Sequence, residues 1–358
     1  MSETPKQCPN CGGAMEFNIA KQKIICKNCS TELDLPPSER TVQEHDFNET
    51  RGRERNAAQY EYENSVTVLV CQNCGAEISA AANVTNLTCR FCGSPQMAKS
   101  PKEAGIAPEA LMPFRVQKHD AAGIFSKWLK KRFWAPKALK TLAQTDKLNA
   151  VYTPYWTFDA HAQGNYTAEG GKDRKETYQQ DGKTETRTHT DWYNAYGFVD
   201  QSFDDVLVYA GSGGDNLPDK MKTFDTKTTL IPFESAYLNG FQAETYSLPP
   251  EEGFDRARIK MESEIKTGVE REVRRSYDRV RNVRLMVNFS GVMYKYVLLP
   301  LWFSGFTYQG KNFSVTINGA TGEIIGAYPK SGLKIAIFVA ACLAAVGIII
   351  ALIISANS

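Results

Sequence analysis

The sequence predicts an α+β protein with two N-terminal zinc ribbons of four cysteines each, a duplicated α+β domain of antiparallel strands, and one C-terminal transmembrane helix. Three observations predict it. Two cysteine quartets share one spacing, helical and strand periodicities alternate across residues 101–330, and an apolar run long enough to span a bilayer lies near the C-terminus.

Cys8, Cys11, Cys26 and Cys29 form the first quartet, and Cys71, Cys74, Cys89 and Cys92 the second. Each reads CxxC, fourteen residues, CxxC, a spacing that gathers four thiolates around one tetrahedral ion, so two Zn2+ are expected. The knuckles are CPNCGG, CKNCST, CQNCGA and CRFCGS. Glycine follows the second cysteine in three of them, where a tight turn must aim backbone amides at sulfur. Ribbons of this size, residues 1–35 and 66–100, bury too little apolar surface to fold unaided. Metal supplies the difference, on the order of 10 kcal/mol. Two closed four-ligand sites predict a structural rather than a catalytic role. In a secreted chain the cysteines would read as disulfides, but the first twenty residues hold no apolar leader, which predicts a reducing cytosol. The connecting residues 36–65 are polar and predict a flexible or partly helical spacer.

Residues 101–330 divide into possible repeats at about 101–220 and 221–330. Ala121, Ile124, Phe125, Trp128 and Leu129 fall on one helical face, with a basic surface from Lys127 through Arg132 beside Phe133 and Trp134. That basic helix, 120–132, reads as a solvated face or as a contact for lipid, acidic protein or nucleic acid. A second helix follows Pro249 and Pro250, with Phe254, Ala257, Met261, Ile265, Val269, Val273, Tyr277 and Val280 on one stripe. Strands follow each helix, and both VYTPYWTFDA (151–160) and VLLPLWFSGF (297–306) contain Pro-x-Trp. Upstream, LMPF at 111–114 and LIPF at 230–233 also correspond. The prolines suggest edge or entry positions in strands. Residues 166–190 predict an exposed hairpin or loop, and 311–327 two strands around a turn at Asn318 to Gly322.

Leu333 to Ile354 carries one charge, Lys334 near its start. That run spans a bilayer as a helix. Lys330 precedes it, Lys334 stands at its start and no charge follows, which predicts a single-pass, tail-anchored protein with its N-terminal part in the cytoplasm.

The net charge of +2 on 358 residues excludes a strong general attraction to polyanions. Each ribbon is nearly neutral, so neither has the basic, aromatic face by which ribbons grip phosphate. Four histidines stand apart from any HExxH pair, no GxSxG is present, and AGSGGDNLPDK (210–220) lacks the GK[ST] ending of a phosphate loop. Asp159 and His161 share a strand face and read as hydrogen-bonding groups of the fold. No catalytic residues and no small-molecule cofactor are expected.

The paired knuckles, MPFRVQKHDAAGIFSKWLKKRFWAPKAL, VYTPYWTFDA and KYVLLPLWFSGFTYQGKNFSVTINGATGEIIGAYPKS together resemble the bacterial membrane-anchored TFIIB-type zinc-ribbon proteins, often labelled replication-restart helicase PriA-like. The helicase label does not carry over, because this chain has no Walker A motif. The resemblance implies companions of the SPFH-domain and phage-shock type at the inner membrane. The expected function is therefore a non-enzymatic adaptor that recruits cytosolic proteins to the membrane; the alternative is a membrane-held nucleic-acid-binding factor for replication or transcription.

Overall fold

The computed structural model describes residues 7–35, 40–52, 66–72, 77–81, 97–99, 106–136, 139, 148–180, 183–211, 220, 221, 223–309 and 311–356. In chain order the strands are β1 (Met15–Asn18), β2 (Lys23–Cys26), β3 (Glu32–Leu33), β4 (His45–Asp46), β5 (Val66–Cys71), β6 (Glu77–Ala81), β7 (Met97–Lys99) and β8 (Ala110–Leu111). Helix α1 (Lys118–Lys130) leads into β9 (Asn149–Gln180) and β10 (Lys183–Tyr209), then β11 (Ile231–Pro232) and β12 (Gln242–Glu244). Helix α2 (Pro250–Val273), β13 (Arg279–Tyr308), β14 (Lys311–Asn318), β15 (Ile324–Gly326) and helix α3 (Gly332–Ala356) complete the chain. Among the described residues the fold is mixed α+β, with one small three-stranded sheet, one twelve-stranded sheet and an apolar C-terminal helix.

Three very long strands set its shape. β9, β10 and β13 hold 32, 27 and 30 residues, and at about 3.3 Å per residue the longest would extend about 100 Å if straight. β10 and β13 flank β9 antiparallel, so the polar stretch expected as a hairpin or loop is a hairpin. One extra residue interrupts the register at three places: Phe203/Val206, Arg281/Arg284 and Ser290/Met293. Each bulge holds one left-handed residue, Asp205 (φ 57), Asn282 (φ 52) or Gly291 (φ 58). Asp, Asn and Gly are the types that tolerate that conformation, so the bulges are written into the sequence.

The sheet core runs along β8, β13, β9 and β12. β8 lies parallel to β13 (Ala110 beside Val297) and β12 parallel to β9 (Gln242 beside Val151). Ala110 and Gln242 are 132 residues apart, as are the helix starts Lys118 and Pro250. The two Pro-x-Trp indoles behave alike: Trp156 Nε1 donates to the Leu248 carbonyl at 2.8 Å, and Trp302 Nε1 to that of Val116 at 3.0 Å. Each carbonyl sits two residues before a helix. The LMPF and LIPF segments, expected in equivalent places, instead lie side by side, β8 pairing antiparallel with β11.

The prolines correct a second expectation. Pro154 and Pro300 lie inside central strands rather than at edges. A strand residue's N–H and C=O point to the same side, and these carbonyls accept from the N–H groups of Ala210 (3.0 Å) and Gly319 (2.8 Å). On those sides β9 changes neighbour from β12 to β10, and β13 from β8 to β14. The missing donor of each proline therefore faces a junction between partners, where no ladder bond is lost.

Helix α2 covers one face of the long strands with Ala257, Met261, Ile265, Val269 and Val273, all buried at the expected spacing. Helix α1 buries Ala121, Ala122, Phe125, Trp128 and Leu129, while Ile124 is only partly covered. At the turn after β14, Asn318 Oδ1 accepts the N–H groups of Ala320 and Thr321, and Gly322 takes φ 81 as expected of that turn.

Part of the expected spacer is fastened down. β4 pairs with β13, Phe47 packs among Phe158, Phe254 and Tyr294, and His45 bonds Glu109 at 3.0 Å. Residues 40–52 are thus attached to the sheet, because their few apolar groups find a pocket that sequence periodicity does not reveal.

Candidate metal centre and interaction surfaces

The first quartet converges. One sulfur from each of Cys8, Cys11, Cys26 and Cys29 lies within 4.8 Å of every other. Cys8 to Cys29 and Cys11 to Cys26 are each 3.5 Å, near the roughly 3.8 Å edge of a tetrahedron with metal–sulfur bonds of about 2.3 Å. The knuckle turns explain the convergence. Gly12, at φ 69, donates to the Cys8 carbonyl, and Ser30, at φ 60, donates to that of Cys26. The Thr31 hydroxyl, 3.0 Å from sulfur, holds the Cys29 thiol down at about 6. At Cys11 the Gly13 amide pulls the same way, but the Cys29 and Cys26 sulfurs outweigh it and push the thiol up to about 12. Four crowded sulfurs resist full ionisation without a cation, and this donor set fits a soft divalent ion such as zinc.

In the second quartet Cys71 is buried at the end of β5, while Cys74, Cys89 and Cys92 lie outside the described residues. The strands around it are joined to the body, since β6 pairs with β12 and extends the large sheet. The first ribbon is also docked. Phe17 packs 4.9 Å from the Tyr237 ring and donates its N–H to the Asn239 carbonyl, and the Gln22 side chain bonds the Phe114 carbonyl. A cleft of about 540 Å³ separates the two, lined by Phe17, Ile19, Phe241, Gln242, Lys118 and Trp302 among others.

A second cluster joins Glu44, Asp159, Asp204 and Asp205, with one carboxylate oxygen of each within 4.8 Å of the rest. Lys295, only 8% exposed, reaches Glu44 at 2.7 Å and Asp205 at 2.8 Å, and Lys227 reaches Asp204 at 2.5 Å. Burial pulls the Lys295 ammonium down, but Asp205 and Glu44 outweigh it and hold it above its ordinary value. Burial, then the neighbouring Glu44, pushes Asp159 up to about 7. Two ammonium groups face four carboxyls, so the group keeps an excess of acid, and it clasps residues 40–52 onto the β10 bulge and β13. The sequence reading missed this network; its one signal was Asp204–Asp205 interrupting an apolar strand. His161 turns away from it, to Ser202 (3.1 Å) and Asp200 (3.3 Å). Of the glycine-rich stretch, residues 212–219 are outside the described residues. Its first glycine, Gly211, leaves room for the buried Glu244, whose carboxylate would lie 2.3 Å from an added Cβ and accepts from the Tyr209 hydroxyl.

The distal part of the β10–β9–β13 sheet has one face under α2 and one open. On the open face Phe198, Asn165 and Met286 form one cross-strand row, and Tyr196, Thr167 and Arg284 the next. Tyr196 is 72% exposed, Phe198 61% and Met286 57%. Beyond them Arg281 bonds Glu169 and stacks over the Trp192 ring at 3.8 Å, and Arg279 pairs with Asp173. Sequence missed this face because a strand's exposed side is known only once its neighbours are.

Helix α3 has a membrane-spanning length and composition, with its side chains projecting from the body. No family model matches the chain, and no solved structure does. It is 26% identical over 331 residues to the uncharacterized protein YdjG of Bacillus subtilis (strain 168), spanning 92% of this chain and 91% of that one.

Proposed function

We propose that this protein is a non-enzymatic adaptor, anchored in the bacterial inner membrane by α3, that recruits cytosolic proteins through the open face of its distal sheet. The observation that carries this reading is the exposure of Tyr196, Phe198 and Met286 on paired strands, beside the Arg281–Trp192 stack. Aromatic residues, Met and Arg are the types enriched where proteins meet. Proteins of the SPFH-domain and phage-shock type are the first partners to expect. Cysteine quartets that need a reducing compartment, and lysines on the body side of α3, support a cytoplasmic body. Both quartets are read as structural Zn2+ sites. The matched spacing of β8–α1–β9 and β12–α2–β13, and of their tryptophan bonds, supports two copies of one strand–helix–strand unit whose long strands exchange neighbours.

The nucleic-acid reading has less support. The distal arginines Arg279 and Arg281 are paired with carboxylates, and the turn that follows the basic end of α1 is hydrogen-bonded to the base of α3. Affinity purification of the full chain from nuclease-treated membranes tests the proposal, comparing wild type with Tyr196→Ser/Phe198→Ser/Met286→Ser. The expected result is a defined protein set that wild type retains and the variant loses at equal membrane abundance. Identical capture by both, or capture that vanishes with nuclease, would overturn it.

A further inference from the structure

We propose that the C-terminal end of α1 and the base of α3 form one interfacial collar that binds anionic lipid headgroups, seating the folded body on the bilayer. The inference rests on reading α3 as a membrane span.

Depth comes first. Residues 335–354 are twenty uncharged residues, rising about 30 Å, the thickness of a bilayer's hydrocarbon core. Lys334 then marks the boundary, and Phe338 lies about one turn inside it. The Trp134 ring packs edge-on against Phe338 with centroids 5.3 Å apart, and its neighbour Phe133 is 67% exposed. Both aromatics sit where hydrocarbon gives way to headgroups, the layer in which amphipathic rings collect.

The joint is stitched by hydrogen bonds. Lys334 Nζ donates to the carbonyls of Phe133 (2.7 Å) and Ala135 (2.8 Å), and the Ser331 N–H donates to that of Trp134 (2.8 Å). The turn after α1 is therefore fixed to the first turn of α3, and the helix cannot swing freely beneath the body.

Charge then selects the lipid. Residues 121–136 and 324–338 contain Lys127, Lys130, Lys131, Arg132, Lys330 and Lys334 and no Asp or Glu. Arg132 stacks on Trp128 (4.7 Å) and Tyr328 (5.6 Å), while Lys127, Lys130 and Lys131 are exposed within about two turns of the membrane-level aromatics. A cationic ring at headgroup height, with an exposed phenylalanine below it, fits an anionic bilayer surface better than a soluble polyanion, which has nothing to cover the ring. Each lysine near such a surface favours anionic lipid by about 1 kcal/mol, about fivefold.

Bromolipid quenching of tryptophan fluorescence tests this on the full chain, reconstituted in vesicles of phosphatidylcholine and phosphatidylglycerol with only one of the two brominated. Wild type should be quenched about twofold or more strongly when phosphatidylglycerol carries the bromine, at equal mole fraction. Trp134→Phe should remove most of the quenching, because Trp128, Trp156 and Trp302 are buried in the body and Trp192 lies on the distal hairpin, paired with Gly171 about twenty residues along β9 from the α1 end. Lys127→Gln/Lys130→Gln/Lys131→Gln should equalise the two lipids while overall quenching persists. Equal quenching in wild type, full quenching in the Trp134 variant, or a preference that survives the triple substitution would each overturn the collar. Failure of the protein to float with vesicles would overturn the membrane reading itself, whereas flotation without lipid preference overturns only the collar.

Discussion

At the scale of single residues, two groups make predictions with a definite sign. Replacing Cys8 with serine removes one of four ligands, so metal content by elemental analysis should fall by about one ion per chain. Protease cleavage within residues 7–35 should rise with it; unchanged metal would refute the site. Asp159 provides a pH test. Its folded-state pKa, about 7, lies above its ordinary value, so the folded protein holds this proton more tightly than the unfolded chain. That stabilisation is complete below the ordinary carboxylate range and is lost as pH rises through about 7. Asp159→Asn, which cannot ionise, should therefore resist urea better than wild type at pH 8 in detergent, with the difference closing toward pH 4. An equal difference at both pH values would show that Asp159 does not titrate in this window. The first cysteine site was legible because metal spacing is local. The acidic clasp was not, since Lys295 and Glu44 are 251 residues apart and only the sheet brings them together.

At the scale of elements, periodicity located both helices because each buries one stripe, and bulge-compatible residues stand at each register shift. What periodicity could not supply was closeness. Gly253 lies in α2 where a Cβ would come within 2.9 Å of Trp156 and 3.2 Å of Phe158, rings with no exposed surface. Trp156 is held by its bond to Leu248, so it cannot easily yield. Gly253→Val should cost about 1–3 kcal/mol by overpacking, read as a lower urea midpoint at unchanged slope. A variant as stable as wild type would mean that α2 can lift from the strands.

At the scale of the whole molecule, α3 is the helix long and apolar enough to cross a membrane, and it carries the prediction. Deleting residues 333–358 should shift the protein from the membrane to the soluble fraction, checked by fractionation at moderate salt. Continued pelleting in high salt as well would assign the membrane attachment to another part of the chain. The sequence by itself determined the clustered cysteine quartet of the first ribbon, the two amphipathic helices and the apolar span, because each depends on residues close together in the chain. Only the tertiary structure decided that Pro154 and Pro300 sit at partner switches, that residues 40–52 and the first ribbon are fastened to the sheet, and which strand face stays open. Those outcomes depend on which distant segments become neighbours, and the energy of burying Phe47 or pairing Lys295 exists only after the long strands have met.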